Sequence, residues 1–163
     1  MISPGSSGSW QPVSDGPFAG WLNWTDDPFE ILTGLFYFKT EDDGKVRGVF
    51  VPEGKHLNCH GFVHGGALLT FVDAMAGSLI NLTMNGQQAV TVSLNSEFIG
   101  ICATNAPVHA IGCVIRATGS LVFVQGQLEQ NEQPILTFSL IMKKVTPIQN
   151  DLTSKRNELP GFV

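Results

Sequence analysis

The chain has 163 residues, 43% of them hydrophobic and only 14% charged, with a net charge of −5. That length suits one domain with a real core. The acidic balance excludes non-specific binding to nucleic acid or to an anionic membrane surface, and so few charges suggest that part of the surface is covered by another copy of the chain.

Residues 1–16, MISPGSSGSWQPVSDG, lack the basic and apolar regions of a signal peptide and read as a disordered Gly/Ser/Pro leader. A single domain is expected over 17–146, with a loose tail over 147–163. Within the domain, FAGWLNWTDDPFEILTG reads as a loop and short helix covering one end of the core through Trp21, Trp24 and Phe29. LFYFKT and KVRGVFVPE flank Glu41-Asp42-Asp43-Gly44, whose Asp-Gly pair suits a hairpin turn. GKHLNCHGFVHGG follows as a loop rich in Gly, His and Asn.

The period then changes. Leu68, Val72, Met75, Leu79 and Leu82 define one apolar helical face, and Asn85-Gly86 supplies the stop. The opposite face carries Gly66, Leu69, Asp73, Ala76, Gly77 and Ile80, so the helix is predicted to be enclosed on nearly every side. Gly65–Met84 is nearly long enough to span a membrane, but Asp73 at its centre and the absence of basic flanks point to a buried helix of a globular domain. In AVTVSLNSEF, alternation puts Val90, Val92 and Leu94 on one face and Thr91, Ser93, Asn95 and Glu97 on the other. PVHAIGCVIRA, SLVFVQGQLEQ and PILTFSLIMKKV complete four strands after the helix, joined by short turns. Two strands, a central helix and four strands imply an antiparallel α+β domain.

Three cysteines, Cys59, Cys102 and Cys113, form no CxxC pair and suit free thiols in a reducing cytoplasm, which is the expected location. His56, Cys59, His60 and His64 fall within nine residues, but their spacing matches no common closed zinc site, and no metal is expected. No G-x-S-x-G is present, which excludes a serine hydrolase with a nucleophile elbow.

Asp73 admits two readings. A buried carboxylate can be structural, satisfied by amides or a hydroxyl, or it can be a base held in an apolar wall to activate water or attack an electrophile. His64-Gly65-Gly66 stands where the loop enters the helix, and amides at a helix N-terminus can stabilise a developing oxyanion. The alternative there is a Gly-rich turn that merely starts a helix.

NCHGFVHGGALLTFVDAMAG followed by VTVSLNSEFIG resembles the hotdog-fold acyl-CoA thioesterases, in particular the branch of the phenylacetate-degradation and thioesterase-superfamily-member proteins. An Asn, then His-Gly-Gly six residues on, then an Asp nine residues past the His are here Asn58, His64-Gly65-Gly66 and Asp73. The resemblance runs from about Gly34 to Val145. It implies a six-stranded antiparallel sheet wrapped around one long helix, assembled as homodimers that pair into homotetramers. It implies that Asp73 activates the water or attacks the thioester. The Gly65 amide and the Asn58 side chain would polarise the carbonyl, and His64 would line the site near the departing thiolate. Thr91 holds the position of a hydroxyl that orients the water, and Gly66, Arg116, Gly119 and Ser120 would contact substrate. Coenzyme A enters as part of an acyl-CoA substrate, with no separate cofactor.

Two departures from the family pattern stand out: Asn105-Ala106 replaces a Gly-Asp pair, and Arg116 is the only cation expected near the hairpin that meets the CoA phosphates. The same fold serves acyl-thioester hydratases and dehydratases as well as non-catalytic acyl-CoA binding proteins. Asn58, Gly65 and Asp73 together favour hydrolysis over both.

Overall fold

A computed structural model describes residues 10–25 and 27–146. The expected tail over 147–163 and the first nine residues of the expected leader lie outside the described residues. The strands are β1 (Trp10–Pro12), β2 (Leu22–Trp24), β3 (Phe36–Thr40), β4 (Val46–Phe50), β5 (Gln88–Phe98), β6 (Val108–Ala117), β7 (Leu121–Gln130) and β8 (Gln133–Val145). Two helices interrupt them, α1 (Pro28–Thr33) and α2 (Gly65–Thr83).

All eight strands form one antiparallel sheet in the order β1-β2-β3-β4-β6-β7-β8-β5. The resemblance implied six. The two extra strands are the three-residue β1 and β2, which extend the sheet past β3. Part of the expected leader is therefore structured: Trp10 pairs with Trp24, and its indole stands edge-on to that of Trp24 at 5.0 Å.

The β3–β4 turn forms as its Asp-Gly pair requires. Gly44 adopts a φ of +80°, and the Asp43 carboxylate accepts from the Lys45 amide at 3.1 Å. Against the sheet lies α2, which touches β3 through β7. Its predicted face is the core: Leu68, Val72, Met75 and Leu79 are buried, with Phe71 between them, and Leu82 packs at the margin. Gly48 on β4 makes room for that face, since a Cβ there would lie 3.1 Å from Met75 Sδ and 3.2 Å from the Phe71 ring. Asn85 and Gly86, both at positive φ, end the helix region as predicted.

The opposite face of α2 differs from expectation. Ala76 and Ile80 are buried, but Gly66 and Asp73 are exposed. The sheet covers one side of α2 and leaves the Asp73 side open between β5 and the N-terminal segment. Asp73 is thus not buried in the single chain.

Candidate active site

Asp73 meets Thr91 across the gap between α2 and β5. The Thr91 hydroxyl donates to Asp73 Oδ1 at 2.5 Å. Strict alternation groups Thr91 with Ser93, Asn95 and Glu97, yet Thr91 faces the helix while Glu97 faces away and accepts from Thr137 at 2.8 Å. A β-bulge explains the difference. Thr91 pairs with Met142 and Ser93 with Ile141, so Val92 is the extra residue and the face switches there.

This pair opens into a cleft of about 440 Å³. Trp10 and Trp24 wall one side, Thr91 and Gln88 the other, and Asp27 and Glu30 complete the rim. Trp10 is fixed by donating its indole N–H to Asn81 Oδ1 at 2.8 Å. Glu30 is the functional candidate that sequence reading missed. Burial first, then the negative charges of Asp27 and Asp73, push its carboxyl up to about 7. It sits on α1, whose N-terminus is fixed by Asp27 Oδ1 accepting from the amides of Phe29 and Glu30. Phe29, expected to cover the core, is instead exposed.

His64, Gly65 and Gly66 open α2, and Asn58 lies in the loop that leads into it. His64 is the N-cap, with Nδ1 accepting from the Gly66 amide at 2.9 Å. That bond leaves the ring hydrogen on Nε2 and occupies the Gly66 amide. Among the described residues no acceptor takes the Gly65 amide, which belongs to the first turn and has no intrahelical partner. Gly65 is also a close-packed position, since a Cβ there would lie 3.0 Å from the Phe98 ring. Asn58 Oδ1 accepts from the amides of His60 (2.9 Å) and Phe62 (3.2 Å), holding the loop closed. Its carbonyl being spent on the loop, the amide NH2 is the half of Asn58 left to donate elsewhere.

One of the clustered histidines does structural work. His56 is buried, accepts at Nδ1 from the Glu53 amide at 2.8 Å, and donates from Nε2 to the Thr33 carbonyl, tying the loop to α1. Among the described residues no three His, Cys, Asp or Glu side chains converge as a metal site. All three cysteines are free, and burial pushes the Cys102 thiol up to about 11, which leaves it a poor nucleophile.

Two groups of candidate residues therefore stand at separate places along α2. Gly65 and Asp73 are eight residues apart, about 12 Å at the helical rise. Within one chain the Gly65–Asn58 group and the Asp73–Thr91 pair do not meet.

Arg116, Gly119 and Ser120 lie exposed at the β6–β7 hairpin, remote in sequence from both groups. The hairpin carries more charge than expected. Lys144 donates its ammonium to the Thr118 carbonyl at 2.6 Å and its amide to the Ser120 carbonyl at 2.9 Å, and Lys143 pairs with Leu121. Arg116 is thus one of three cations at this corner. The Lys143-Lys144 pair is plain in the sequence, but only the strand register puts it beside the turn.

A model described as the thioesterase superfamily matches residues 60–136. This stretch belongs to the thioesterase superfamily. The chain folds as a hotdog domain, and solved structures share that fold at low identity. A mutant of the phenylacetic acid degradation protein PaaI from Thermus thermophilus is 18% identical, with a TM-score of 0.64 over 73% of this chain and 100% of that one. A hypothetical thioesterase from Streptococcus pneumoniae, solved with coenzyme A, is 18% identical, with a TM-score of 0.62 over 68% of this chain and 88% of that one. A Streptococcus mutans protein, smu.793, solved with acetyl CoA, is 21% identical, with a TM-score of 0.61 over 68% of this chain and 88% of that one. No curated protein matches. The matched stretch of the hotdog domain contains His64, Gly65, Asp73 and Thr91 but not Asn58 or Glu30.

Proposed function

We propose that the protein hydrolyses an acyl-CoA thioester to a free carboxylic acid and CoA, in sites each shared by two copies of the chain. The observation that carries this reading is the Thr91–Asp73 hydrogen bond at 2.5 Å in an open cleft. With Oδ1 held by Thr91, Oδ2 is free to take a proton from water. Water attacks the thioester carbonyl as Asp73 accepts its proton. The oxyanion is held by donors, the tetrahedral adduct collapses, and CoA leaves as a thiolate that the proton on Asp73 or solvent neutralises.

The oxyanion donors in this account are the unpaired Gly65 amide and the Asn58 NH2 of the second copy, with the exposed His64 Nε2–H beside the departing sulfur. A two-fold axis that sets two α2 helices antiparallel would supply them. β5 favours such pairing, because it is a sheet edge whose Val90 and Val92 are exposed by 50% and 59%. Pairing of dimers into a tetramer belongs to the same reading. Arg116 and Lys144 at the β6–β7 hairpin suit the CoA phosphates, and the CoA and acetyl CoA held by the two streptococcal structures support CoA as the carrier.

The test is a panel of acyl-CoAs with a thiol-reactive dye. Stoichiometric release of free thiol supports hydrolysis. Hydration or loss of an alkene without thiol release would instead identify a hydratase or dehydratase.

A further inference from the structure

The N-terminal segment lies outside the stretch matched by the superfamily, yet it forms a wall of the Asp73 cleft. We propose that Glu30 is a specificity-determining residue of this cleft, selecting acyl groups that carry no distal carboxylate. The proposal rests on the thioesterase reading of the Asp73–Thr91 pair.

An acyl group whose carbonyl sits at Asp73 finds the cleft beside it, walled by Trp10 and Trp24. Those rings suit an aromatic or short aliphatic group. The charged groups facing Glu30 are Asp27, which precedes α1, and Asp73 on α2. The strands around the cleft present Trp10, Trp24, Gln88, Thr91 and Met142, none of them cationic, and among the described residues no Lys, Arg or His lines it. A substrate with a second carboxylate would bring a fourth acid into a space that already holds three. A polar but uncharged acyl tip would meet hydrogen-bonding groups instead.

Glu30 is the member of this set that can change state near neutrality. Its carboxyl is pushed up to about 7, so it is a neutral donor at mildly acidic pH and a carboxylate at alkaline pH. Discrimination against a distal carboxylate must therefore sharpen as pH rises. A distal carboxyl on the ligand stays ionised over the same range, its ordinary value being about 4 to 5.

The test compares non-hydrolysable thioether analogues of butyryl-CoA and succinyl-CoA, which share a four-carbon acyl length and differ in the distal carboxylate. Dissociation constants are measured at pH 6 and pH 8.5 for the wild-type protein and for Glu30→Gln. The wild type should bind the butyryl analogue about tenfold more tightly at pH 8.5, with the gap narrowing several-fold at pH 6. In Glu30→Gln the gap should shrink and lose its pH dependence. A gap that is the same at both pH values in the wild type and unaltered in the variant overturns the proposal. The pH comparison needs no variant, so misfolding of Glu30→Gln cannot hide that result. Butyryl-CoA hydrolysis is followed in parallel. Discrimination between analogues without any thiol release would refute the thioesterase reading and leave the role of Glu30 standing.

Discussion

The stretch 60–136 and the segment 10–35 enclose the same cleft by different means. The first supplies α2 and β5, held by core packing and by a long ladder to β8 with one bulge at Val92, and it presents Asp73 and Thr91 at 2.5 Å. The second is made of three-residue strands and a one-and-a-half-turn helix with no buried residue, and it presents Trp10, Trp24 and Glu30. In the proposed reading the base stands on rigid elements, where misplacement would cost rate, and selection falls to a thin wall that can vary without disturbing the core.

Substitutions in the two regions should therefore read out differently. The largest effect belongs to Asp73→Asn, which keeps size and removes the base. Turnover should fall by about 10³-fold with an unchanged melting temperature, checked by thiol release and calorimetry. Near-wild-type turnover would make Asp73 structural. Gly65→Ala comes next, because the added Cβ would press on the Phe98 ring at 3.0 Å and displace the unpaired amide. A loss of kcat of about 10²-fold is expected, with KM little altered. Thr91→Val removes the hydroxyl that holds Asp73 Oδ1 and should cost about tenfold in kcat, while Thr91→Ser should restore most of it.

An effect on stability rather than rate sharpens the contrast from the other side. Glu30 holds its proton up to about pH 7 in the folded chain but releases it near 4.5 when unfolded. The folded state thus binds more protons between those values, so its stability falls as pH rises through that window and then levels off. Glu30→Gln should remove this loss. The variant should be more stable than wild type by roughly 2 kcal/mol above pH 7, discounted from the full shift because the side chain is half-buried, and should match it near pH 4. Denaturant melts at pH 4.5, 6 and 8 would check it.

How much of this was legible in the sequence follows the same division. The periodicity of Leu68, Val72, Met75 and Leu79 and the Asp-Gly turn gave the helix and the hairpin, because core burial and turn chemistry act locally. The spacing of Asn58, Gly65 and Asp73 pointed to the site through its resemblance to a family. The face of Thr91 was not readable by alternation, since a single bulged residue at Val92 reverses it. Nor was the exposure of Asp73 readable, because an apolar helix says nothing of which side the sheet leaves uncovered. Glu30 looked like one more acid in DDPFEILTG. Its character comes from burial beside Asp27 and Asp73, which only the tertiary fold creates. Lys144 likewise gained its place from strand register.

The central claim, a hydrolytic site shared by two chains, is tested most directly by complementation between Asn58→Asp and Asp73→Asn. The first keeps an oxygen for the loop amides of His60 and Phe62 and replaces the NH2 donor with an anionic oxygen. Each variant alone should be nearly inactive. Unfolded together and refolded, random pairing makes about half the dimers mixed, each with one intact site and one doubly altered one, so roughly a quarter of wild-type activity should return. If differently tagged chains co-purify as mixed dimers and no thiol release returns, the shared site is contradicted.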